Sequence, residues 1–166
     1  MSSLEHAGPG RLHIAAGALG GVDMLRSVGT MGAVHRARIV TTKLPRALVQ
    51  EWMSEDEASE VLRADSPMQL FEGPVRTLVG RFPSSTNVAA TLALAVGSWD
   101  IVTGEVWADP SAELTSHRVD VVAEAGEYSF EMRHRPSRQN PRSSAVVPWA
   151  VVRVLRDLCG GSWRFA

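Results

Sequence analysis

The sequence lacks a second cysteine and a marked net charge: Cys159 is its single cysteine, and the formal net charge is -1 at pH 7. One cysteine excludes an internal disulfide and any multi-cysteine zinc or iron–sulfur site, and it favours a reducing compartment. Balanced charge removes bulk attraction to nucleic acid or to an anionic membrane. We therefore expect a cytoplasmic protein with a small-molecule substrate and with no nucleic-acid or membrane partner.

The sequence also lacks long hydrophobic runs and a basic leader followed by an apolar run. No secretory signal is therefore expected. The most apolar stretch, residues 88–97, is too short to cross a bilayer and predicts a buried helix. With 166 residues, of which 45% are hydrophobic and 21% charged, the chain can build one good core but not two large domains. We expect a flexible leader over residues 1–10 and a single domain over residues 11–166.

Hydrophobic periodicity divides the chain into alternating strands and helices. The predicted strands are residues 11–16, 33–43, 69–72, 105–109, 116–123 and 127–134, and the predicted helices are residues 20–29, 47–64, 74–82, 88–97 and 144–159. Ser54 and Glu57 have the spacing of a capping box, and Thr86 or Asn87 is the expected cap of the apolar helix.

This order of elements predicts an α+β fold, with a mixed, largely antiparallel sheet and helices packed on one face. Residues 119–123 look apolar on both sides of their strand. The other face of the sheet is therefore expected to be covered by a partner subunit, which favours a homodimer through the sheet.

The last two predicted strands each carry a histidine. With a four-residue loop at residues 124–127, His117 would face His134, with Cβ atoms roughly 5 Å apart. Mutual repulsion and burial would lower the pKa of each ring and keep at least one neutral near pH 7, where it can act as a base. The alternative is that each ring is a satisfied, half-exposed histidine of the sheet.

Six local motifs occur along the chain in this order: AAGALGGVD at residues 15–23, Phe82-Pro83 followed by NVAATLA at residues 87–93, Ala108-Asp109-Pro110, His117, Pro136-Ser137, and NPRSS at residues 140–144. Together they resemble the C-terminal catalytic domain of the L-aspartate dehydrogenase family over residues 11–166. The resemblance implies NAD- or NADP-dependent conversion of L-aspartate to iminoaspartate, with a nucleotide-binding Rossmann domain ahead of the catalytic domain. His117 matches the family's active-site histidine, Asn140 the turn into the last helix, and residues 160–166 a short closing strand.

The sequence departs from the family's pattern at the residues that the resemblance implies for binding the cofactor and the substrate. No G-x-G-x-x-G element precedes the first strand, and the glycines of residues 17–21 have a different spacing, so no cofactor is expected in this chain. Ser84 and Ser85 stand where the family has Lys-Asn, Thr115 where it has the Asn before the histidine, and His134 where it has the Asn opposite. We expect the scaffold to be retained and the substrate contacts to be changed.

Three function classes stay open. The first, which we favour, is a cofactor-independent isomerase, cyclase or lyase of a specialised biosynthetic type, in which His117 is the general acid or base and His134 tunes its pKa. The second is a dehydrogenase half that uses a nucleotide-binding domain supplied in trans. The third is a non-catalytic ligand-binding or dimerisation protein.

The candidate substrate-binding residues are polar side chains near the histidines or near a helix N-terminus, where backbone N–H groups favour a carboxylate, an enolate or a carbonyl oxygen. Thr115 or Ser116 is expected to orient His117. Helix capping is the alternative role of Ser84, Ser85 and Asn87. No metal site is expected, because neither H-x-x-x-H nor C-x-x-C spacing occurs. The candidate substrate-binding residues are Ser84, Ser85, Asn87, Thr115, Ser116 and Asn140.

Overall fold

The computed structural model describes residues 12–32, 34–83, 86–140 and 143–160. In chain order the elements are α1 (Val22–Thr30), β1 (Val34–Lys43), a 3-10 turn (Pro45–Ala47), α2 (Glu55–Arg63), β2 (Met68–Pro74), α3 (Val75–Arg81), α4 (Asn87–Ala95), β3 (Val102–Ala108), β4 (Thr115–Ala123), β5 (Gly126–His134) and α5 (Val147–Leu158). No helix among the described residues is long and apolar enough to cross a membrane.

The five strands form one mixed sheet in the order β2-β3-β1-β4-β5. β1 and β3 run parallel, whereas β2 with β3, β1 with β4, and β4 with β5 are antiparallel. The chain between the two parallel strands contains α2, α3 and α4, because a parallel pair needs a long crossover. The predicted α+β fold with a mixed, largely antiparallel sheet is confirmed.

Helices cover one face of the sheet. Apolar side chains on alternate strand positions, among them Ile39, Val106 and Val119, are fully buried there together with Leu25 of α1 and Leu78 of α3. α3 and α4 contact the strands directly, and α1 packs against α4. The core therefore lies between the sheet and this single helical layer, as predicted.

The opposite face of the sheet carries ion pairs beside half-buried apolar side chains such as Val40 and Val122, so the expectation of strands that are apolar on both sides is wrong. Arg38 forms an ion pair with Glu105, and Arg118 forms one with Asp120 at 3.1 Å. The Ser129 hydroxyl also donates to the Asp120 carboxylate, at 2.6 Å. Asp120 lies within the supposedly apolar residues 119–123. The partner subunit over this face stays a prediction.

One predicted strand is absent from the described residues, and one predicted helix begins later than expected. Residues 12–16 form no strand; Leu12 and Ile14 are exposed, so no apolar burial drives pairing with the sheet. The helix predicted at residues 47–64 is limited to α2, because the capping box itself starts it. The Ser54 Oγ accepts from the Glu57 N–H at 3.2 Å, and the Glu57 carboxylate accepts from the Ser54 N–H at 2.8 Å.

The last helix, α5, begins at Val147 rather than at residue 144, and Pro148 falls in its first turn as expected. Its apolar stripe is present but exposed: Val151 is 45%, Leu155 55% and Leu158 48% exposed. Nothing in the described part of the chain buries these side chains. The closing strand expected at residues 160–166 falls almost entirely on residues 161–166, which lie outside the described residues, and Gly160 belongs to a turn.

A close approach of α1 to the end of α4 gives a test of the helical layer. A Cβ at Gly29 would lie 2.7 Å from the Ala95 carbonyl oxygen and 2.9 Å from the Val96 carbonyl carbon, both backbone atoms. Although alanine is the better helix former by about 1 kcal/mol, Gly29→Ala should lower the free energy of unfolding by about 1 to 3 kcal/mol through overpacking.

Urea unfolding measures this change, with Gly80→Ala in α3 as the matched control. A Cβ at Gly80 meets no atom within 4 Å, so Gly80→Ala should stabilise the protein by about 0.5 to 1 kcal/mol. Equal effects of the two substitutions would show that α1 does not pack closely on α4.

Candidate functional site

β1 and β4 bring three polar side chains into the apolar core. Thr41 pairs with His117 across the two strands, and Lys43 lies two residues beyond Thr41 on the same face of β1. Their exposed fractions are 2% for Thr41, 5% for Lys43 and 2% for His117. The Thr41 Oγ1 and the His117 Nδ1 lie 3.0 Å apart in a hydrogen bond, which offsets the cost of burying both groups. Thr41, rather than Thr115 or Ser116, is the hydrogen-bond partner that orients the His117 ring.

Burial keeps the His117 ring neutral. Desolvation lowers the pKa of His117 from 6.5 to about 3, and the positive charges of Lys43 and His134 lower it further in the same direction. The expected direction of the pKa shift is therefore found for His117. A ring with this pKa binds a proton weakly near pH 7, so its chief capacity there is to donate or accept a hydrogen bond.

Lys43 is the titratable group of this cluster whose pKa lies closest to neutrality. Burial lowers the pKa of Lys43 from 10.5 to about 8. Lys43 is also the single lysine among the 17 Lys and Arg residues of the chain. An arginine could not replace it as a proton carrier, because a guanidinium does not lose its proton in proteins. The sequence analysis missed both Lys43 and Thr41.

The register of the last hairpin differs by two residues from the prediction. Ala123 pairs with Gly126 around a two-residue loop, so His117 pairs with Met132 and His134 pairs with Thr115. The predicted direct pairing of His117 with His134 is wrong. Because a two-residue shift keeps every side chain on its face, the rings are still diagonal neighbours, with centroids 6.2 Å apart.

His134 holds the turn before α1 against the end of β5. Its Nε2 lies 3.0 Å from the Ala18 carbonyl oxygen, and since a carbonyl only accepts, Nε2 carries the proton and donates. Gly21 lies directly against the Phe130 ring with a φ of 70°, where a side chain would be both strained and obstructed. His134 thus has a structural contact of its own.

A cavity of about 380 Å³ opens at the same edge of the sheet. Thr115, which lies two residues before His117 on the same face, and Leu44, which follows Lys43, connect the cavity to the buried cluster. Asn140 contributes from the loop after β5. Two of the predicted substrate-binding residues, Thr115 and Asn140, therefore line one cavity. Its full lining is Leu44, Arg46, Ala47, Ala112, Glu113, Leu114, Thr115, Pro136 and Asn140.

The remaining predicted site residues do not join this cavity. Ser116 points to the opposite face of the sheet from His117, because successive strand residues alternate. Asn87 is exposed at the start of α4. Thr86 precedes it as the N-cap residue, but its hydroxyl donates to the Phe82 carbonyl at 2.7 Å and does not cap the helix. Ser84 and Ser85 lie outside the described residues.

A second cavity, of about 430 Å³, runs along α2 among exposed and half-exposed side chains such as Asp56, Glu60 and Arg63. It is a solvated surface depression with no buried polar cluster beside it. We therefore place the candidate site at the cavity beside Thr115. Across the described residues, no three His, Cys, Asp or Glu side chains converge to hold a metal ion.

A dinucleotide does not fit the described residues. The glycines of residues 17–21 precede a helix, as a phosphate-binding turn would, but they follow residues 12–16, which form no strand. The strand–turn–helix unit that holds a pyrophosphate is thus absent from the described chain. The described domain offers a cavity of about 380 Å³ and a buried cluster of Thr41, Lys43 and His117 near it.

The described residues thus form an α+β domain with a mixed five-stranded sheet, one helical layer and a buried histidine near a cavity. The protein-family model described as "Aspartate dehydrogenase, C-terminal" matches residues 23–158. The chain belongs to this family. The fold matches the crystal structure of aspartate dehydrogenase from Thermotoga maritima with a TM-score of 0.73 and 27% identity, over 99% of this chain and 60% of that one.

Curated relatives agree with this assignment. The chain is 35% identical to the L-aspartate dehydrogenase of Methanopyrus kandleri, over 91% of this chain and 52% of that protein. It is 30% identical to that of Bradyrhizobium diazoefficiens, over 98% of this chain and 59% of that protein. The chain thus spans a little over half the length of the relatives that it matches.

The buried His117 should make stability fall in acid. Because its folded pKa of about 3 lies below its ordinary 6.5, the unfolded chain binds more protons between these values, and the free energy of unfolding drops as pH falls through that window. Between about pH 7.5 and about pH 4.5, the native protein should lose about 2 to 3 kcal/mol more than His117→Gln.

Urea unfolding at both pH values measures the difference, and His35→Gln, at an exposed histidine of β1, is the control that should behave like the native protein. The same acid loss in His117→Gln as in the native protein would contradict a buried, neutral His117.

The single lysine allows a direct titration. Protein labelled with isotope only in lysine should give one side-chain NMR signal, and its chemical shift should titrate with a pKa of about 8, since desolvation disfavours the ammonium. An exposed lysine would titrate at about 10.4 instead, and that result would contradict the burial of Lys43.

Proposed function

We propose that this domain is the substrate half of an amino-acid oxidoreductase. Membership of the aspartate dehydrogenase family supports the class of reaction, and the observation that carries the proposal is the buried Thr41, Lys43 and His117 cluster beside a cavity of about 380 Å³. The hydride acceptor would be held by a nucleotide-binding unit outside the described residues. The domain's own part is to bind the substrate, orient it and move a proton.

The proton step explains why a lysine with a lowered pKa would lie beside the histidine. Oxidation of an amino acid to its imine requires that the substrate ammonium lose a proton. A general base works best when its pKa is near the operating pH, and the pKa of Lys43 is about 8. Lys43 is therefore our candidate for the base, and Thr115, two residues from His117 on the same face of β4, lines the cavity.

His117 has a different part in this proposal. Its ring is neutral and is held through Nδ1 by Thr41, so it presents a fixed hydrogen-bonding group and not a second positive charge. A neutral ring beside Lys43 also leaves room for the cationic form of that lysine, whereas an imidazolium would repel it. His117 would position the substrate, and His134 would maintain the turn at Ala18.

Cofactor-independent acid–base catalysis of the isomerase, cyclase or lyase type is the second candidate. The contact of the His117 and His134 rings at 6.2 Å, with Lys43 nearby, favours it, because such a group of nitrogens can move protons without a nucleotide. It differs from the first candidate in one measurable respect, since its turnover would need no NAD or NADP.

The test uses the tagged protein isolated from its native cells with any chain that co-purifies. Oxidation of L-amino acids with NAD or NADP is followed through the absorbance of the reduced nicotinamide. Lys43→Arg keeps the positive charge but loses the group that deprotonates, so kcat/KM should fall by about 100-fold or more. The native protein should show a rise of kcat/KM through about pH 8, and this rise should disappear in Lys43→Arg.

Arg26→Gln, at an exposed residue of α1, is the control variant and should keep full activity. Product formation that requires no nucleotide would replace this proposal with the second candidate. Nucleotide-dependent turnover with an unchanged pH profile in Lys43→Arg would show that another group is the base.

A further inference from the structure

Thr41 and His117 lie side by side in one row of residues that runs across four strands. Thr41 pairs with Val106 on β3 and with His117 on β4, and His117 pairs with Met132 on β5. Val106 is fully buried, and neither Val106 nor Met132 carries a strong hydrogen-bonding group. Within this row, the Thr41 Oγ1 and the His117 Nδ1, 3.0 Å apart, therefore have only each other as partners.

The position of the ring proton follows from the Thr41 hydroxyl. A hydroxyl has one proton to donate, and a buried donor without an acceptor costs free energy. Among the described residues, the His117 Nδ1 is the one acceptor within hydrogen-bond distance of the buried Thr41 hydroxyl. If Nδ1 carried the ring proton, the hydroxyl proton would have no acceptor. The hydroxyl therefore donates to Nδ1, and the neutral ring carries its proton on Nε2.

The Nε2 atom of His117 has no hydrogen-bond partner among the described residues, although the side chain is buried. Every fully buried side-chain nitrogen and oxygen in the described part of the chain has a partner, so Nε2 is not sealed in the core. It is the point at which the ring meets open space. Thr115, two residues away on the same face of β4, lines the cavity of about 380 Å³.

We infer that Thr41 is a positioning residue that makes His117 a hydrogen-bond donor to the ligand. The Thr41 hydroxyl holds Nδ1 and so keeps the proton on Nε2, and the Nε2–H donates to a carboxylate oxygen of the bound amino acid. The ligand in this assignment rests on the proposed function, whereas the position of the proton does not. Lys43 keeps its separate part, because a base must accept a proton and a protonated Nε2 does not.

This arrangement favours ligands that present an acceptor to the ring. Because the branched Cβ of threonine restricts χ1 in a strand, the hydroxyl is held at Nδ1. A ligand that donated to Nε2 could reverse both bonds, since a hydroxyl also accepts, but it would leave the hydroxyl proton of Thr41 without an acceptor. A carboxylate has no such cost, and its bond to Nε2–H is strengthened by its charge.

NMR of the ring nitrogens reads the tautomer directly, because protonated and bare nitrogens of histidine resonate far apart. In the full chain, isotope-labelled in histidine, the signals of His117 are identified by their loss in His117→Gln. Near neutral pH they should show a protonated Nε2 and a bare Nδ1. A protonated Nδ1 with a bare Nε2, as expected if Nε2 accepted from Lys43 instead, would overturn the inference.

The effect on the ligand is measured as the Kd for L-aspartate, the substrate named for the curated relatives, by calorimetric titration without nucleotide. The sample is the tagged protein isolated as for the activity assay. Thr41→Val keeps the shape of the side chain and removes its hydroxyl, so the Kd should rise by about tenfold. Thr41→Ser restores the hydroxyl and should bind within about twofold of the native protein.

Thr42→Val is the matched control. It makes the same chemical change at the next residue, whose side chain lies on the opposite face of β1, and it should keep the native Kd. Circular dichroism checks that each variant is folded at the temperature of the titration. A native Kd in folded Thr41→Val, a Kd in Thr41→Ser as high as in Thr41→Val, or no binding of L-aspartate to the native protein would contradict the role of Thr41.

The tautomer and the Kd are read without turnover, so the two proposals fail separately. A protonated Nε2 and binding that depends on the Thr41 hydroxyl, with no oxidation in the activity assay, would support this inference and remove the oxidoreductase. Nucleotide-dependent oxidation by a protein whose His117 is protonated on Nδ1 would do the reverse.

Discussion

The pairing of β1 with β4 is the constraint on which the site depends. It sets Thr41 opposite His117 on the face that the helices close, and it brings Lys43 to the same edge. Polar groups in such a place cost free energy unless they are hydrogen-bonded or lose their charge. Thr41 and His117 are hydrogen-bonded to each other. Burial lowers the pKa values of His117 and Lys43, which favours their uncharged forms. The chemistry of the site therefore follows from the register of the sheet.

Local pattern predicted the class of fold and the face on which each histidine lies, because alternation along a strand is a property of neighbouring residues. The hairpin register needed one more fact, the length of its loop. Glu124 and Ala125 keep ordinary negative φ angles, and Gly126 takes a φ of 142° that other residues rarely adopt. Gly126 was the available signal for a two-residue loop. The predicted loop at residues 124–127 instead counted Gly126 as a loop residue, which shifted the strand register.

Thr41 and Lys43 could not be recognised as site residues from their own segment. A lysine at the end of a strand ordinarily reaches water, and its importance comes from His117, which is far away in the sequence and is brought close by strand pairing. Two signals were present nevertheless. Lys43 shares its face of β1 with Ala37 and Ile39, which are fully buried, and it is the single lysine in a chain whose other basic residues are arginines.

The two histidines differ in role because their hydrogen-bond partners differ. His134 donates from Nε2 to the Ala18 carbonyl and so holds the turn before α1. His117 is held by a hydroxyl that can donate or accept, so its tautomer can adapt to a ligand while its charge cannot change near pH 7. In the proposed function, proton transfer near neutral pH would therefore be the part of Lys43, whose pKa is lowered to about 8, and the neutral His117 ring would be part of its fixed surroundings.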